Sequence, residues 1–475
     1  MSSEKNMIAV ETIYQQTESG NASMFADMFH DKVRYVLSLK EWIAWNGKKW
    51  DRVGGELTVR GYVQGVGLKR FHEIKDKTNS TEQSVASRFW VNTVSANGIE
   101  HVVQIAKTIP KMKVSPGDLD KDIYLLNVQD GTIDMRTGKL KPHDPNDMIT
   151  QIANVSFLPN KEHIPIPKWE KSLKDWHPRG GEDGTWDYLQ ELMGLCCTGD
   201  ISSRCMPIFW GEGRNGKNAF LDTFLLMLGD YATVAPRTLI SARAENQHPT
   251  EIASLWKKRL VLASEPKKGC TLRTDMIKSL TGDNLIRARF MYKEFFDFAP
   301  THKMIMMTNH LPRVQETEDA IWDRLHKLPW LTRIPRERQI PDYANTYLRE
   351  EWPGILRWAI QGFLRLQSRK PPMLMLTKLI EHETTDYRTE QNPARTFVES
   401  LFIVGAGLFT PSSTMNKLFS DWVGDYQFGE NVATKHDLDC CLRDLGCVNK
   451  IRRTGNDVVR GWYNIGIRSD VQNTR

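Results

Sequence analysis

The chain has no C-x-x-C pair. Its seven cysteines, Cys196, Cys197, Cys205, Cys270, Cys440, Cys441 and Cys447, follow neither the spacing of a zinc ribbon nor that of a disulfide framework. A reducing compartment is the expected setting. Long apolar runs are also missing: stretches such as Phe224 to Leu228 fall far short of the roughly 20 residues a spanning helix needs. The opening MSSEKNMIAV lacks a basic-then-apolar leader, so the expectation is a cytoplasmic protein, neither secreted nor membrane-bound. Tracts of single-sign charge are scarce too. The 64 Lys and Arg against 58 Asp and Glu give a net charge of +6 that is spread along the sequence, a balance that permits nucleic acid as a partner without demanding it. No internal repeat or low-complexity tract is evident. What is present is length: 475 residues exceed one compact core and predict two to four domains.

The order of local patterns divides the chain. Around Trp42 to Trp50, aromatic residues flank a turn built on Asn46 and Gly47, and residues 1–110 read as a small α+β lead-in. In YLLNVQDGTIDMRTGKLKPHDP, alternating apolar segments are broken at Asp130-Gly131 and Thr137-Gly138, which predicts consecutive β-hairpins. Apolar residues recur at helical spacing from Thr185 to Leu195, and MPIFW reads as a buried strand ending at a glycine. From about 180 to 335 strands and helices alternate, which argues for a doubly wound α/β core. Beyond Pro371 and Pro372 a mostly helical region (Arg395 to Leu401, Ser412 to Val423, Lys435 to Leu445) ends in basic strands around KIRRTG and VVRGWYNIGI, an order compatible with a winged helix.

GEGRNGKN, Gly211 to Asn218, sits between the MPIFW strand and the amphipathic AFLDTFLLML, the strand, loop and helix context of a phosphate-binding P-loop. Glycines such as Gly211, Gly213 and Gly216 let backbone N–H groups turn inward around phosphate oxygens, together with Asn215 in the same loop. The helix N-terminus adds its positive dipole end, and Lys217 supplies a point charge for the β- and γ-phosphates of a nucleotide. A bare G-x-x-x-x-G-K arises by chance in roughly one chain in seven of this length, so the flanking elements carry the identification. The loop closes with Asn218, where the pattern has a Ser or Thr whose hydroxyl binds magnesium. An amide oxygen can be a metal ligand.

An NTPase also needs a carboxylate at the end of a neighbouring strand, and RLVLASE is an apolar strand ending in Glu265. An exposed acid after a core strand is the alternative. A third strand, KMIMMTN, ends in Asn309, which is placed either to orient the attacking water or to cap a turn. DAIWDRLHKLPW places Arg324 in a helical stretch, as an arginine finger reaching across a subunit interface or as a solvated face residue.

GEGRNGKN, LVLASEP, IKSLTGDNLIRAR, MIMMTNHLP and AIWDRL, in that order, resemble the motifs of the superfamily 3 helicases among phage, plasmid and poxvirus primase-helicase proteins. The resemblance runs from about residue 30 onward. It implies an α/β, AAA+-like P-loop NTPase core at 181–375, a helicase-associated domain at 111–180 and a winged-helix-like DNA-binding domain at 376–475. It further implies ATP and Mg2+ as cofactors, a homo-oligomeric ring, a hexamer, and translocation 3′ to 5′ on single-stranded DNA. By motif position Lys217 binds phosphate, Glu265 serves metal and water with Asn218 beside it, and Asn309 senses the γ-phosphate, while Lys278 and Asp283 fall in the middle motif. The sequence departs from the family at Asn218, at Ser264 where many relatives have a second acid, and at Asp323 where relatives often show a second arginine, leaving Arg324 as the finger candidate at this motif.

For contact with DNA, IRARFMYKEFFDF predicts a hairpin turning near Lys293 and Glu294, with Arg287 and Arg289 on one face and Lys293 reaching single-stranded DNA alongside Lys278. A solvated amphipathic strand pair is the alternative. The C-terminal KIRRTGNDVVRGWYNIGI offers Lys450, Arg452, Arg453 and Arg460 with Trp462 and Tyr463 for a duplex backbone, or forms an ordinary basic hairpin packed by its aromatics. The leading reading is thus an ATP-dependent replicative helicase of a phage, plasmid or mobile element acting on single-stranded and forked DNA. A separate primase, a polymerase and a single-strand-binding protein are the expected partners. The alternatives are the helicase part of a bifunctional primase-helicase and a non-hydrolysing helicase-loading scaffold.

Overall fold

The computed structural model describes residues 14–75, 79–159, 164–241, 249–263, 270–291, 293–314, 318–391, 393–425, 433–454 and 457–468. Its first unit contains α1 (Glu18–Phe29), β1 (Val33–Val36), β2 (Glu41–Trp45), β3 (Trp50–Asp51), α2 (Gly55–Lys75), α3 (Ser80–Thr93), α4 (Ala96–Ala106) and β4 (Lys113–Val114). The strands form a sheet in the order β3-β2-β1-β4, against which Phe25, Val59, Val63 and Val103 of the helices pack with Trp42. The expected turn is there. Gly47 has φ +93, and the Asn46 side-chain oxygen accepts the backbone N–H groups of Lys48 and Lys49, both at 3.0 Å, the local hydrogen bonding that makes Asn a turn former. The two hairpins read from the sequence follow as β5 (Leu125–Val128), β6 (Gly131–Asp134) and β7 (Lys139–Lys141), paired antiparallel in that order. Gly138 takes φ +68 at the second turn.

After α5 (Pro167–Trp176) and α6 (Thr185–Cys196) comes the α/β core: β8 (Met206–Trp210), α7 (Lys217–Leu228), β9 (Ala232–Ala235), α8 (Pro249–Ala253), β10 (Leu260–Ala263), α9 (Thr274–Gly282), the hairpin β11 (Ile286–Arg289) and β12 (Phe295–Phe298), β13 (Lys303–Thr308), α10 (Asp319–Trp322) and β14 (Leu325–Pro329). Five strands make one parallel sheet in the order β14-β8-β13-β10-β9. Near-continuous apolar runs are what a parallel sheet covered on both faces requires. Side chains accordingly alternate between two cores: Phe209, Leu262 and Ile305 join Phe220 and Phe224 of α7 on one side, while Ile208, Val261, Met304 and Met306 join Ile277 and Leu280 of α9 on the other. The core is closed by α11 (Tyr343–Thr346), α12 (Trp352–Gln367) and α13 (Lys378–Gln391). Helix α13 packs on β14, where Thr384 Oγ1 accepts the Lys327 backbone N–H at 3.0 Å and the buried Lys327 ammonium pairs with Glu383 at 2.7 Å.

The last unit comprises α14 (Pro393–Leu401), β15 (Phe402–Pro411), α15 (Ser412–Asp425), α16 (Lys435–Asp444), β16 (Val448–Thr454) and β17 (Asp457–Ile467). Its antiparallel sheet has the order β15-β17-β16, over a core of its own built on Phe397, Met415, Phe419, Leu438 and Trp462. The three helices and the two basic strands lie where the sequence predicted them. Strand β15 did not announce itself, because Ile403, Val404 and Leu408 stay partly exposed and its glycines break the alternation.

Three buried histidines tie this fold to pH. Burial pushes the His177 and His326 imidazoles down to about 4 and that of His302, beside Lys303, to about 3. In the unfolded chain each takes up its proton near pH 6.5. Below that pH the unfolded state holds more protons than the folded one, so the stability from the neutral rings is complete above about pH 6.5 and is lost as pH falls toward 4. Urea midpoints are expected to fall steadily between pH 7 and pH 5. Replacing His302→Leu is expected to flatten that dependence by up to about 1.4 kcal/mol per pH unit, and an unchanged slope would show that His302 is not one of the titrating groups.

Candidate nucleotide-binding site

Strand β8 ends at Trp210 and α7 begins at Lys217, so Gly211 to Gly216 must reverse the chain within six residues. Two of them adopt left-handed backbone, Arg214 at φ +68 and Gly216 at φ +88. A Cβ on Gly216 would lie 2.1 Å from the Trp176 ring, whereas one on Gly213 would meet nothing within 4 Å. Gly216 is therefore demanded by both backbone and packing, and Gly213 by neither. The buried Asn215 braces the turn from inside. Its amide nitrogen donates to the carbonyl oxygens of Trp330 at 2.7 Å and Glu212 at 2.5 Å, while its Oδ1 accepts the Lys217 backbone N–H at 3.4 Å.

Lys217 is 5% exposed. Its ammonium donates to the Gly211 carbonyl at 2.9 Å and to Asn309 Oδ1 at 2.7 Å. Asn309 gets there because β13 is the neighbour of β8 and stops at Thr308, whose hydroxyl accepts the His310 backbone N–H at 3.1 Å and turns the chain. The loop, α7 and the end of β13 open on a cavity of about 530 Å³ lined also by Asn218, Ile334, Arg338 and Tyr343. That volume lies within the usual range for a small-molecule site. Asn218 is exposed at its rim.

Glu265 and Ser264 lie outside the described residues, and β10 ends at Ala263. Arg324 corrects an expectation. Helix α10 ends at Trp322, and Arg324 stands in the turn before β14, since Leu325 to Pro329 pair with β8 as a strand. Its Nε donates to Thr281 Oγ1 at 3.2 Å and its guanidinium reaches the Ala320 carbonyl. It therefore sits at the end of the sheet away from Lys217. Lys278 pairs with Glu318 at 3.1 Å. The predicted hairpin is present, Arg289 opposite Phe295 and Arg287 opposite Asp297 on its outer face. At its tip the Lys293 ammonium donates to the Leu39 carbonyl of the first unit at 2.7 Å. Arg452 and Arg453 are exposed on β16, with Arg452 5.1 Å above the Phe409 ring.

A family model described as D5 N terminal like matches residues 22–178, and one described as a family of unknown function, DUF5906, matches residues 209–324. Among curated proteins, the chain is similar to the helicase-designated protein L207/L206 of Acanthamoeba polyphaga mimivirus, 22% identical over 440 residues that cover 83% of this chain and 44% of that protein. It is also similar to the helicase-designated protein 022R of Frog virus 3 (isolate Goorha), 26% identical over 345 residues, 68% of this chain and 34% of that one. The D5 N terminal like match and these helicase-designated viral proteins together are what the chain is similar to over most of its length. It spans less than half the length of these curated relatives. Among solved structures, the apo C-terminal region of NrS-1 superposes with a TM-score of 0.48 at 9% identity, covering 91% of this chain and 96% of that one.

Trp176, Trp330, Ile334, Arg338 and Tyr343 shape the site, and sequence reasoning passed over all five. Trp330 closes DAIWDRLHKLPW, which was read for Arg324 alone, and each of the five arrives by tertiary packing: Trp330 from the end of β14, Trp176 from the end of α5. Gly216→Ala is expected to abolish nucleotide binding and lower the melting temperature, because its cost, at least 1 to 3 kcal/mol from backbone and overpacking together, falls on the loop itself. Gly213→Ala is expected to melt as the parent does. Binding of a fluorescent ATP analogue and thermal denaturation of both variants check the contrast, and equal melting of the two would contradict it.

Proposed function

We propose that the chain is the ATP-driven motor of a viral or phage replicative helicase. The observation that carries the reading is the meeting of Lys217 with Asn309 at the mouth of the 530 Å³ cavity. It joins the phosphate-loop cation to a polar amide at the end of the adjacent strand. An incoming triphosphate would lie along the loop N–H groups and the N-terminus of α7, with Lys217 at the β- and γ-phosphates. Asn309, within hydrogen-bond reach of Lys217, would touch the γ-phosphate and orient the attacking water, and Glu265 would draw the water's proton. Asn218 and Glu265 are the residues to hold Mg2+, which when bound neutralises charge on the phosphate oxygens. The fit is supported on the Asn218 side by its exposure at the cavity rim.

The order of the sheet supports an AAA+-like reading, since inserting β13 between β8 and β10 places Asn309 between the phosphate loop and the strand leading to Glu265. Arg324 lies at the opposite end of its strand, so as a finger it would serve a neighbouring copy, which is the argument for a ring and, by family resemblance, for a hexamer moving 3′ to 5′. Arg287 and Arg289 face outward for single-stranded DNA. The last unit, with its helix, strand, helix, helix, strand, strand order, is read as a winged helix presenting Arg452 and Arg453 to duplex. Forked DNA, a primase, a polymerase and a single-strand-binding protein complete the expected partners.

ATP turnover with magnesium, measured with and without single-stranded DNA and beside Lys217→Ala, tests the proposal. DNA-stimulated turnover that falls by at least about a hundredfold in the variant is expected, in line with the loss of a preorganised transition-state cation. Nucleotide-dependent assembly with no turnover would instead favour a scaffold, the reading that Asn218 supports. Arg452→Ala combined with Arg453→Ala is expected to lower duplex affinity at low salt roughly tenfold and leave turnover on single strands unchanged; a parallel loss of both would assign β16 a structural role.

A further inference from the structure

The hairpin of β11 and β12 has two unlike faces. Its inner residues Ile286, Ala288, Phe296 and Phe298 are buried in the motor core, where Phe296 stacks on Phe290 with ring centroids 5.3 Å apart and meets Trp256 edge-on at 5.6 Å. Its tip is held by Lys293 on the Leu39 carbonyl and by Glu294 near Lys40 at 3.8 Å. The outer face is thereby fixed in position. On it stands Phe295, a large apolar ring left 47% exposed, with the Arg289 guanidinium 4.7 Å and the Arg287 guanidinium 5.2 Å from its centroid. Asp297 is the acid on that face, directly across from Arg287.

A phenyl ring gains little from burial at such a position, so its contribution to folding is small. Its chemistry fits something else. An aromatic face beside cations is how proteins hold single strands without reading sequence: the base stacks and the cations take the flanking phosphates. A guanidinium and a nucleobase make the same kind of planar contact with the ring, so a base can replace an arginine on Phe295 and free that arginine for a phosphate. We propose that Phe295 is a base-stacking platform for single-stranded nucleic acid, flanked by Arg287 and Arg289. The proposal rests on the motor reading and adds to it a contact that depends on the base rather than on charge. Stacking involves no net charge, so the base-dependent part of the affinity depends little on salt.

The test is fluorescence anisotropy of the full chain, with magnesium and a non-hydrolysable ATP analogue, on an oligo-dT strand and on an abasic strand of equal length. The parent is expected to bind oligo-dT on the order of tenfold more tightly than the abasic strand, with a ratio that changes little between low and moderate salt. Phe295→Leu is expected to erase the ratio while keeping abasic affinity and melting temperature, and Phe295→Trp to preserve it. A parent with no preference for bases, or a Phe295→Leu variant that retains one, would overturn the proposal. The motor reading is judged separately by turnover in the parent and Lys217→Ala, so either can fail alone.

Discussion

A buried ammonium must be surrounded by acceptors, because desolvating a charge without partners costs far more than any apolar contact returns. Around Lys217 this requirement organises the site. The Gly211 carbonyl and the Asn309 side chain supply acceptors, and each can do so because of a distant element. Gly211 donates its backbone N–H to the Thr308 carbonyl of β13 at 3.3 Å and lies against the Trp330 carbonyl, which accepts the Asn215 amide, and Asn309 is set by the placement of β13 beside β8. The Gly211–Gly216 loop is thus held through β14 and β13 as much as through its own glycines.

From this follows the division of labour between the two ends of the sheet. All five strands run the same way, so their carboxyl ends gather Lys217 and Asn309 at one edge, the general place for ligands in open parallel sheets. Arg324 precedes β14 and stands at the other edge, locked onto Thr281 and Ala320. Geometry alone separates the two within one chain. The β11 and β12 hairpin leaves the same core but turns its polar face away from it, and its tip is fastened to the first unit at Leu39. The N-terminal unit and the hairpin are joined by this hydrogen bond, by the Lys40–Glu294 pair and by the core they share, in which Leu39, Ile43 and Trp50 pack with Phe296 and Phe298.

Much of this was legible in residue order. Gly47, Gly138 and Gly216 carry the positive φ values that their turn and loop contexts implied, and the apolar runs of β8, β10 and β13 became strands buried on both faces. Alternation in IRARFMYKEFFDF set Arg287 and Arg289 on one face, as a period of two demands. The misreadings have physical causes. Arg324 was expected in a helical stretch of DAIWDRLHKLPW, yet the backbone of Leu325 to Pro329 pairs with β8, and tertiary pairing overrides local preference. Strand β15 hid behind its glycines and its partial exposure.

The sequence by itself determined the position of the loop between strand and helix, most of the strands and helices of the α/β core, and the faces of the hairpin, since each depends on neighbours within a few residues. The tertiary structure decided which side chains share the cavity and which cations remain available. Trp176, Arg338 and Tyr343 reach the Gly211–Gly216 loop from at least 35 positions away, and Lys278 and Lys293 are taken up by Glu318 and Leu39. No local pattern encodes such meetings, because a side chain's partners across a packed interior depend on how whole elements stack, and that is settled only when the cores close around them.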